Sequence, residues 1–157
     1  MSGDALLARI GYHVREDVAV PVGELDRLIE ELRAIARSEQ VPVYLYGHLG
    51  EGSLHPNYAV DPTTAQAARL RAAVLRAARN LGGTISAEHG IGVLKRPFLV
   101  EELGGEAVAL LLAIKRACDP DGILNPGKLY PSSRRPTRAR RPSRSPSGSA
   151  DGGTRTG

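Results

Sequence analysis

A single cysteine, Cys118, among 157 residues excludes an internal disulfide framework. It sits in a periodic apolar stretch, so it reads as a small buried hydrophobe rather than a nucleophile. No apolar run approaches the roughly 20 residues that a membrane-spanning helix requires. The opening MSGDALLARI also lacks the basic stretch, apolar stretch and cleavage site of a secretory signal. The expectation is a cytoplasmic protein without a membrane span. Familiar catalytic signatures are missing as well: there is no GxSxG elbow and no CxxC pair. GHLGEG has three glycines, but not in the order or strand-to-helix setting of a dinucleotide fingerprint. NPGK, at 125–128, lacks the glycine-rich lead of a phosphate loop.

What is present is a hydrophobic content of 41%, that of a globular domain. The net charge of +4 is unevenly placed, since residues 131–157 hold seven arginines against one acid and carry +6, which leaves residues 1–130 at −2. The folded part is therefore not a basic nucleic-acid binder, and no specific nucleic-acid partner is expected. The tail has no leucine, isoleucine, valine or aromatic residue, so it cannot offset the entropy of ordering itself. It is expected to be disordered, either a solvated extension, which is the reading adopted, or a nonspecific polyanion anchor.

Along 1–130, β-branched and helical patterns alternate. DVAVPV, at 17–22, reads as a short strand that Pro21 ends, and Leu25, Leu28, Ile29, Leu32, Ile35 and Ala36 follow helical spacing. PVYLYGH, at 42–48, and SLHPNYAV, at 53–60, read as two strands, the second an edge or bulged one because of Pro56. Asp61 as N-cap with Pro62 behind it predicts a helix that stops at Gly82 and Gly83. A last helix over 106–118 would turn Val108, Leu111, Ile114 and Cys118 to one face. The sum is an α+β domain, an antiparallel sheet with packed helices.

If 44–48 and 54–60 form a hairpin around LGEGS, His48 leaves one strand as His55 enters the next, and Gly50 and Gly52 permit the positive φ of a tight turn. Two neutral imidazoles brought together suit zinc, manganese or a similar divalent ion better than calcium or magnesium. Glu88, in the glycine-flanked SAEHGIG, is the candidate third ligand. Its neighbour His89 is a candidate general acid or base, because imidazole titrates near neutral pH. The opposing reading is a set of satisfied surface or core histidines, as His13 is taken to be.

Four ordered blocks, EDVAVP, GHLGEGSLHPN, GGTISAEHGIG with KRPFL following, and IKRACDPDGILNPGKLYP, resemble the C-terminal part of the FAD-linked oxidases of the vanillyl-alcohol oxidase superfamily. That group contains the glycolate oxidase large subunit, D-lactate dehydrogenase and D-2-hydroxyglutarate dehydrogenase. The family's histidine motif reads HxGDGNxH, so Glu51 stands for the aspartate and Ser53 for the asparagine. The resemblance implies that His48, His55 and Glu88 hold a divalent metal, Zn or Mn, and that the base His89 faces the C2 hydroxyl of a small 2-hydroxy acid. It further implies that Asn57 and Arg15 contact substrate, and that Asn125 lies near FAD. Hydride would pass to a flavin held mainly by an N-terminal domain. The expectation is thus an FAD-linked oxidase C-terminal domain over 1–130, truncated and inactive without a flavin-binding domain or subunit. Two rivals are a non-catalytic remnant or interaction subunit, and a metallohydrolase using the same two histidines and glutamate.

Overall fold

A computed structural model describes residues 13–130 of the chain. The arginine-rich tail, expected to be disordered, lies outside the described residues. The chain order is β1 (Val14–Arg15), β2 (Val18–Ala19), α1 (Leu25–Ser38), β3 (Val43–His48), β4 (Ser53–Tyr58) and α2 (Ala65–Asn80), followed by α3 (Gly92–Lys95), α4 (Leu99–Leu103) and α5 (Gly105–Cys118). The architecture is α+β, with β4 at the centre of an antiparallel sheet, β3 on one side and β1 and β2 end to end on the other.

The central position of β4, paired on both sides in constant register, corrects the expectation of an edge or bulged strand, and the reason lies at Pro56 itself. β1 and β2 share one register against β4, Arg15 opposite Asn57 and Val18 opposite Leu54. Between them Glu16 donates its backbone N–H to the Pro56 carbonyl at 3.0 Å. The reciprocal bond cannot form, because proline has no N–H. The ladder breaks there, and the strand predicted over 17–22 is reduced to Val18–Ala19. That break leaves Glu16 and Asp17, both buried, opposite Pro56 and His55.

One face of the sheet is the core. Val14, Val18, Leu54 and Tyr58 pack with Leu28 and Leu32 of α1 and Leu70, Val74 and Leu75 of α2. The buried positions of α1, Leu25, Leu28, Leu32 and Ala36, recur every three or four residues, as a helix lying on a sheet requires. Each fully buried leucine contributes about 1.5–3 kcal/mol. Helix α2 starts later than predicted. Asp61 does not cap it, because its Oδ1 accepts the Thr63 N–H and hydroxyl in a local turn; Thr64 is the N-cap, its Oγ1 accepting the Ala67 N–H at 3.2 Å.

Helix α5 also departs from its predicted orientation. The half-buried stripe runs through Ala107, Val108, Leu111 and Leu112, whereas Ile114 and Cys118 are exposed. The buried-hydrophobe reading of Cys118 is therefore corrected: the helix packs mainly on α4 and no residue of α5 is fully buried. Beyond it, Asp119 turns the chain by accepting the Ile123 and Leu124 N–H groups at 2.9 and 3.0 Å and the Lys115 ammonium.

The Lys115 hydrogen bond, helped by those two N–H groups, holds the Asp119 carboxyl below its ordinary pKa. A carboxylate depressed in the folded state contributes stability above its unfolded value and loses it as pH falls through the folded one. The melting-temperature gap between wild type and Asp119→Asn is expected to be widest near neutrality and to narrow as pH drops below about 4. A gap that widens in acid contradicts this role.

Candidate functional site

The face of β4 opposite the core carries polar side chains. Alternation along the strand sends Ser53, His55 and Asn57 away from the helices. In β3, Tyr46 pairs with His55 and His48 with Ser53, so His48 and His55 are diagonal neighbours on one face. Their rings meet edge to face with centroids 5.9 Å apart. The connection between the strands is a single 3-10 turn, Leu49–Glu51, closed by Gly52 at φ +72°. Of the two glycines singled out in the sequence, only Gly52 uses the left-handed region. A Cβ there would also lie 2.0 Å from the Val20 carbonyl oxygen, while one at Gly50 would meet nothing within 4 Å.

The second half of the site arrives on the loop after α2. Thr84 exchanges backbone hydrogen bonds with Ala19, at 2.8 and 3.3 Å, which anchors the loop along β2. Asp17 then gathers it. Its Oδ2 accepts the His89 N–H at 2.8 Å, the Glu88 N–H at 3.1 Å and the Ser86 hydroxyl at 3.0 Å. Lys95, buried, donates to the backbone carbonyls of Asp17 and Ile85 and so ties α3 to the same point. Burial alone would raise the Asp17 pKa, but the His89 and Glu88 N–H groups, the Ser86 hydroxyl and the Lys95 charge together outweigh it and hold the carboxyl low.

With the loop so fixed, Glu88 Oε1 stands 3.0 Å from His55 Nε2, 3.6 Å from His89 Nε2 and 3.7 Å from His48 Nε2. The His55 and His89 rings stack at 4.9 Å, inclined by 10°. The side chains of His48, Glu88 and His89 are 60%, 51% and 45% exposed against 4% for His55, so the cluster has a buried floor and an open mouth. Burial, more than any neighbour, lowers the His55 pKa; His89 and His48 push the same way, against the attraction of Asp17 and Glu88. A neutral imidazole at the floor is the form that can ligate a cation. Two imidazoles and a carboxylate on one side of a cleft are a fitting donor set for a borderline divalent ion such as zinc or manganese. Asp17, His55, Glu88 and His89 also offer ligand atoms within 4.8 Å of one another.

The cleft itself is about 260 Å³, lined by Arg15, Tyr46, Gly47, His48, His55, Glu88 and His89. Arg15 thus stands at the site. Asn57 does not line it: fully buried behind His55, it donates Nδ2 to the His55 carbonyl at 2.7 Å, and its Oδ1 has no partner. Asn125 belongs to a separate cleft of about 350 Å³ at the end of α5, with Lys115, Arg116 and Lys128 on its walls. That volume is at the low end for a drug-sized ligand and does not enclose a dinucleotide such as FAD. Glu51 and Ser53, the two departures from the family's histidine motif, lie respectively exposed in the turn and buried opposite His48 in the β3–β4 ladder.

Asp17 is the residue that sequence reasoning missed. Its signal was the acidic pair Glu16-Asp17 directly before a β-branched run, an unusual place for two carboxylates unless both are bound. Glu16 answers to Arg71, 2.7 Å away, and Asp17 to the loop.

Fold and cluster together define an α+β domain that carries an imidazole–carboxylate site on the open face of its sheet. The family profile of FAD linked oxidases, C-terminal domain, matches residues 1–129. The chain belongs to that family. It is 35% identical over 121 residues to glycolate oxidase subunit GlcD of Bacillus subtilis, covering 74% of this chain and 26% of that protein. It is 36% identical over 116 residues to D-lactate dehydrogenase [cytochrome] 1, mitochondrial, of Saccharomyces cerevisiae, covering 73% and 20%. Against D-2-hydroxyglutarate dehydrogenase of Xanthomonas citri it is 34% identical over 131 residues, covering 78% and 28%. The matched segment thus spans about a quarter of the length of these relatives. Among the described residues no helix is long and apolar enough to cross a membrane.

Gly52→Ala is expected to cost more than the ~1–2 kcal/mol of left-handed strain alone, because the new Cβ would strike backbone. Gly50→Ala should be neutral or mildly stabilising. Thermal melts of the two variants check the contrast, and equal effects would contradict it.

Proposed function

We propose that this chain is the substrate- and metal-binding part of an FAD-dependent oxidoreductase that oxidises a small 2-hydroxy acid of the glycolate or D-lactate type. The observation that carries the reading is the single carboxylate oxygen of Glu88 lying within 3.0–3.7 Å of three imidazole nitrogens at an open cleft. His48, His55 and Glu88 would hold zinc or manganese, which would orient the substrate and stabilise negative charge developing on its C2 oxygen.

The chain's own groups divide the remaining work. His89 stacks on His55 but is half exposed, so it faces the mouth of the cleft, where it takes the proton of the C2 hydroxyl. Arg15, on the cleft wall, meets the substrate carboxylate. Asn57, buried behind His55, supports that strand position rather than touching the bound acid. FAD, held mainly by a flavin-binding domain or subunit, would supply the two-electron acceptor chemistry, and the Asn125 loop would meet only part of it. Exposed Leu110 and Ile114 on α5, with Ile123 and Leu124 beyond it, offer apolar surface for such a domain to cover. By itself the chain would bind but not turn over.

Elemental analysis after dialysis is expected to find one divalent ion per chain, lost in His55→Ala and in Glu88→Ala. In a pairing with a flavin-binding domain, His89→Ala should keep the ion while turnover of a 2-hydroxy acid falls at least about 100-fold. Turnover that survives His89→Ala refutes the base assignment.

A further inference from the structure

Four buried side-chain atoms among the described residues lack a hydrogen-bond partner, and two of them face each other: Asp17 Oδ1 and His55 Nδ1, 3.4 Å apart. Both side chains are almost wholly buried, at 2% and 4% exposure, so neither atom has solvent as a substitute. Leaving a buried donor or acceptor unmatched is destabilising. The pair resolves its own deficit in one way only, with the proton on Nδ1 pointing at the carboxylate, because ionised Asp17 has acceptors and nothing to donate. The opposite ring nitrogen, Nε2, then has its lone pair toward Glu88, 3.0 Å away, an arrangement that a cation between the two satisfies, whereas without one the Glu88 carboxylate competes for the same ring proton.

We infer that Asp17 is a positioning residue that sets the tautomer of His55, holding Nδ1 protonated so that Nε2 is free to bind a cation in the cleft. The same carboxylate does this while its other oxygen grips the backbone of Glu88 and His89, so one side chain orients the floor ligand and delivers the loop that carries the acidic ligand. A metal-bound histidine characteristically donates its second N–H to a carboxylate or carbonyl, and loss of that partner weakens metal binding by 10–100-fold. The consequence for metal affinity rests on the function proposed above; the tautomer itself does not.

Asp17→Asn separates these roles. The amide oxygen can still accept the loop N–H groups, which turns the amide NH₂ toward His55 Nδ1, makes Nδ1 an acceptor and moves the proton to Nε2. Nitrogen-15 NMR of metal-free Glu88→Ala at mildly alkaline pH, where no second carboxylate competes for the ring proton, should show His55 as the Nδ1–H tautomer, and the Nε2–H tautomer once Asp17→Asn is added. Zinc titration should show a 10–100-fold weaker affinity in Asp17→Asn alone. His55 in the Nε2–H form in Glu88→Ala, with Asp17 intact, overturns the inference even if the double variant does not fold, and so does zinc affinity unchanged by Asp17→Asn. Wild-type protein that takes up no zinc, while the Glu88→Ala pair shows the tautomer switch, defeats the metal reading and leaves the Asp17 role standing.

Discussion

The arrangement of the site depends on one buried carboxylate accepting three hydrogen bonds. Asp17 Oδ2 ties the backbone of the loop carrying Ser86, Glu88 and His89 to the sheet, between the Thr84 backbone pairing and the Lys95 bridge from Ile85 to Asp17. The carboxylate occupies that position by register: β1 and β2 keep one alignment against β4, which sets Asp17 opposite His55 across the gap in the ladder at Pro56. Register thus places a charge next to His55. The charge is tolerable inside because three donors converge on Oδ2 and the ammonium of Lys95 attracts it, Lys95 having its own pKa pushed down by burial against the pull of Glu16 and Asp17.

The two faces of β4 show how one strand serves fold and chemistry at once. Leu54 and Tyr58 lock it into the helices, while Ser53, His55 and Asn57 form a polar row that the core never reaches. Rigidity on one side is what lets a shallow cluster on the other keep its geometry. The stacked His55 and His89 rings add an electrostatic constraint, since two imidazolium ions at 4.9 Å repel, and burial favours His55 as the neutral member.

Much of this was legible in the sequence. The α1 and α2 periodicities and the β3–β4 hairpin that sets His48 beside His55 follow from local spacing and turn chemistry, whereas Glu88 and His89 reach them on a loop held by Asp17. What escaped was set by register. Pro56 suggested an edge strand, because a proline in the middle of a sheet is tolerated only where its neighbour is interrupted, and no local pattern announces that interruption. Asp17 left only the acidic pair as a local signal, and its role was missed for the same reason: its partner lies 72 residues away. The face of α5 was misjudged because several apolar residues ring that helix, so spacing alone does not choose which side is covered. Asn57 shares a face with His55, as alternation requires, yet sits too deep to line the cleft.

Zinc K-edge X-ray absorption on the zinc-loaded chain tests the central claim most directly. The account predicts two imidazole nitrogens and one carboxylate oxygen at about 2.0–2.2 Å, with the shell completed by non-protein oxygen that a substrate can replace. A shell without imidazole, or one closed by four protein ligands including His89, would contradict it.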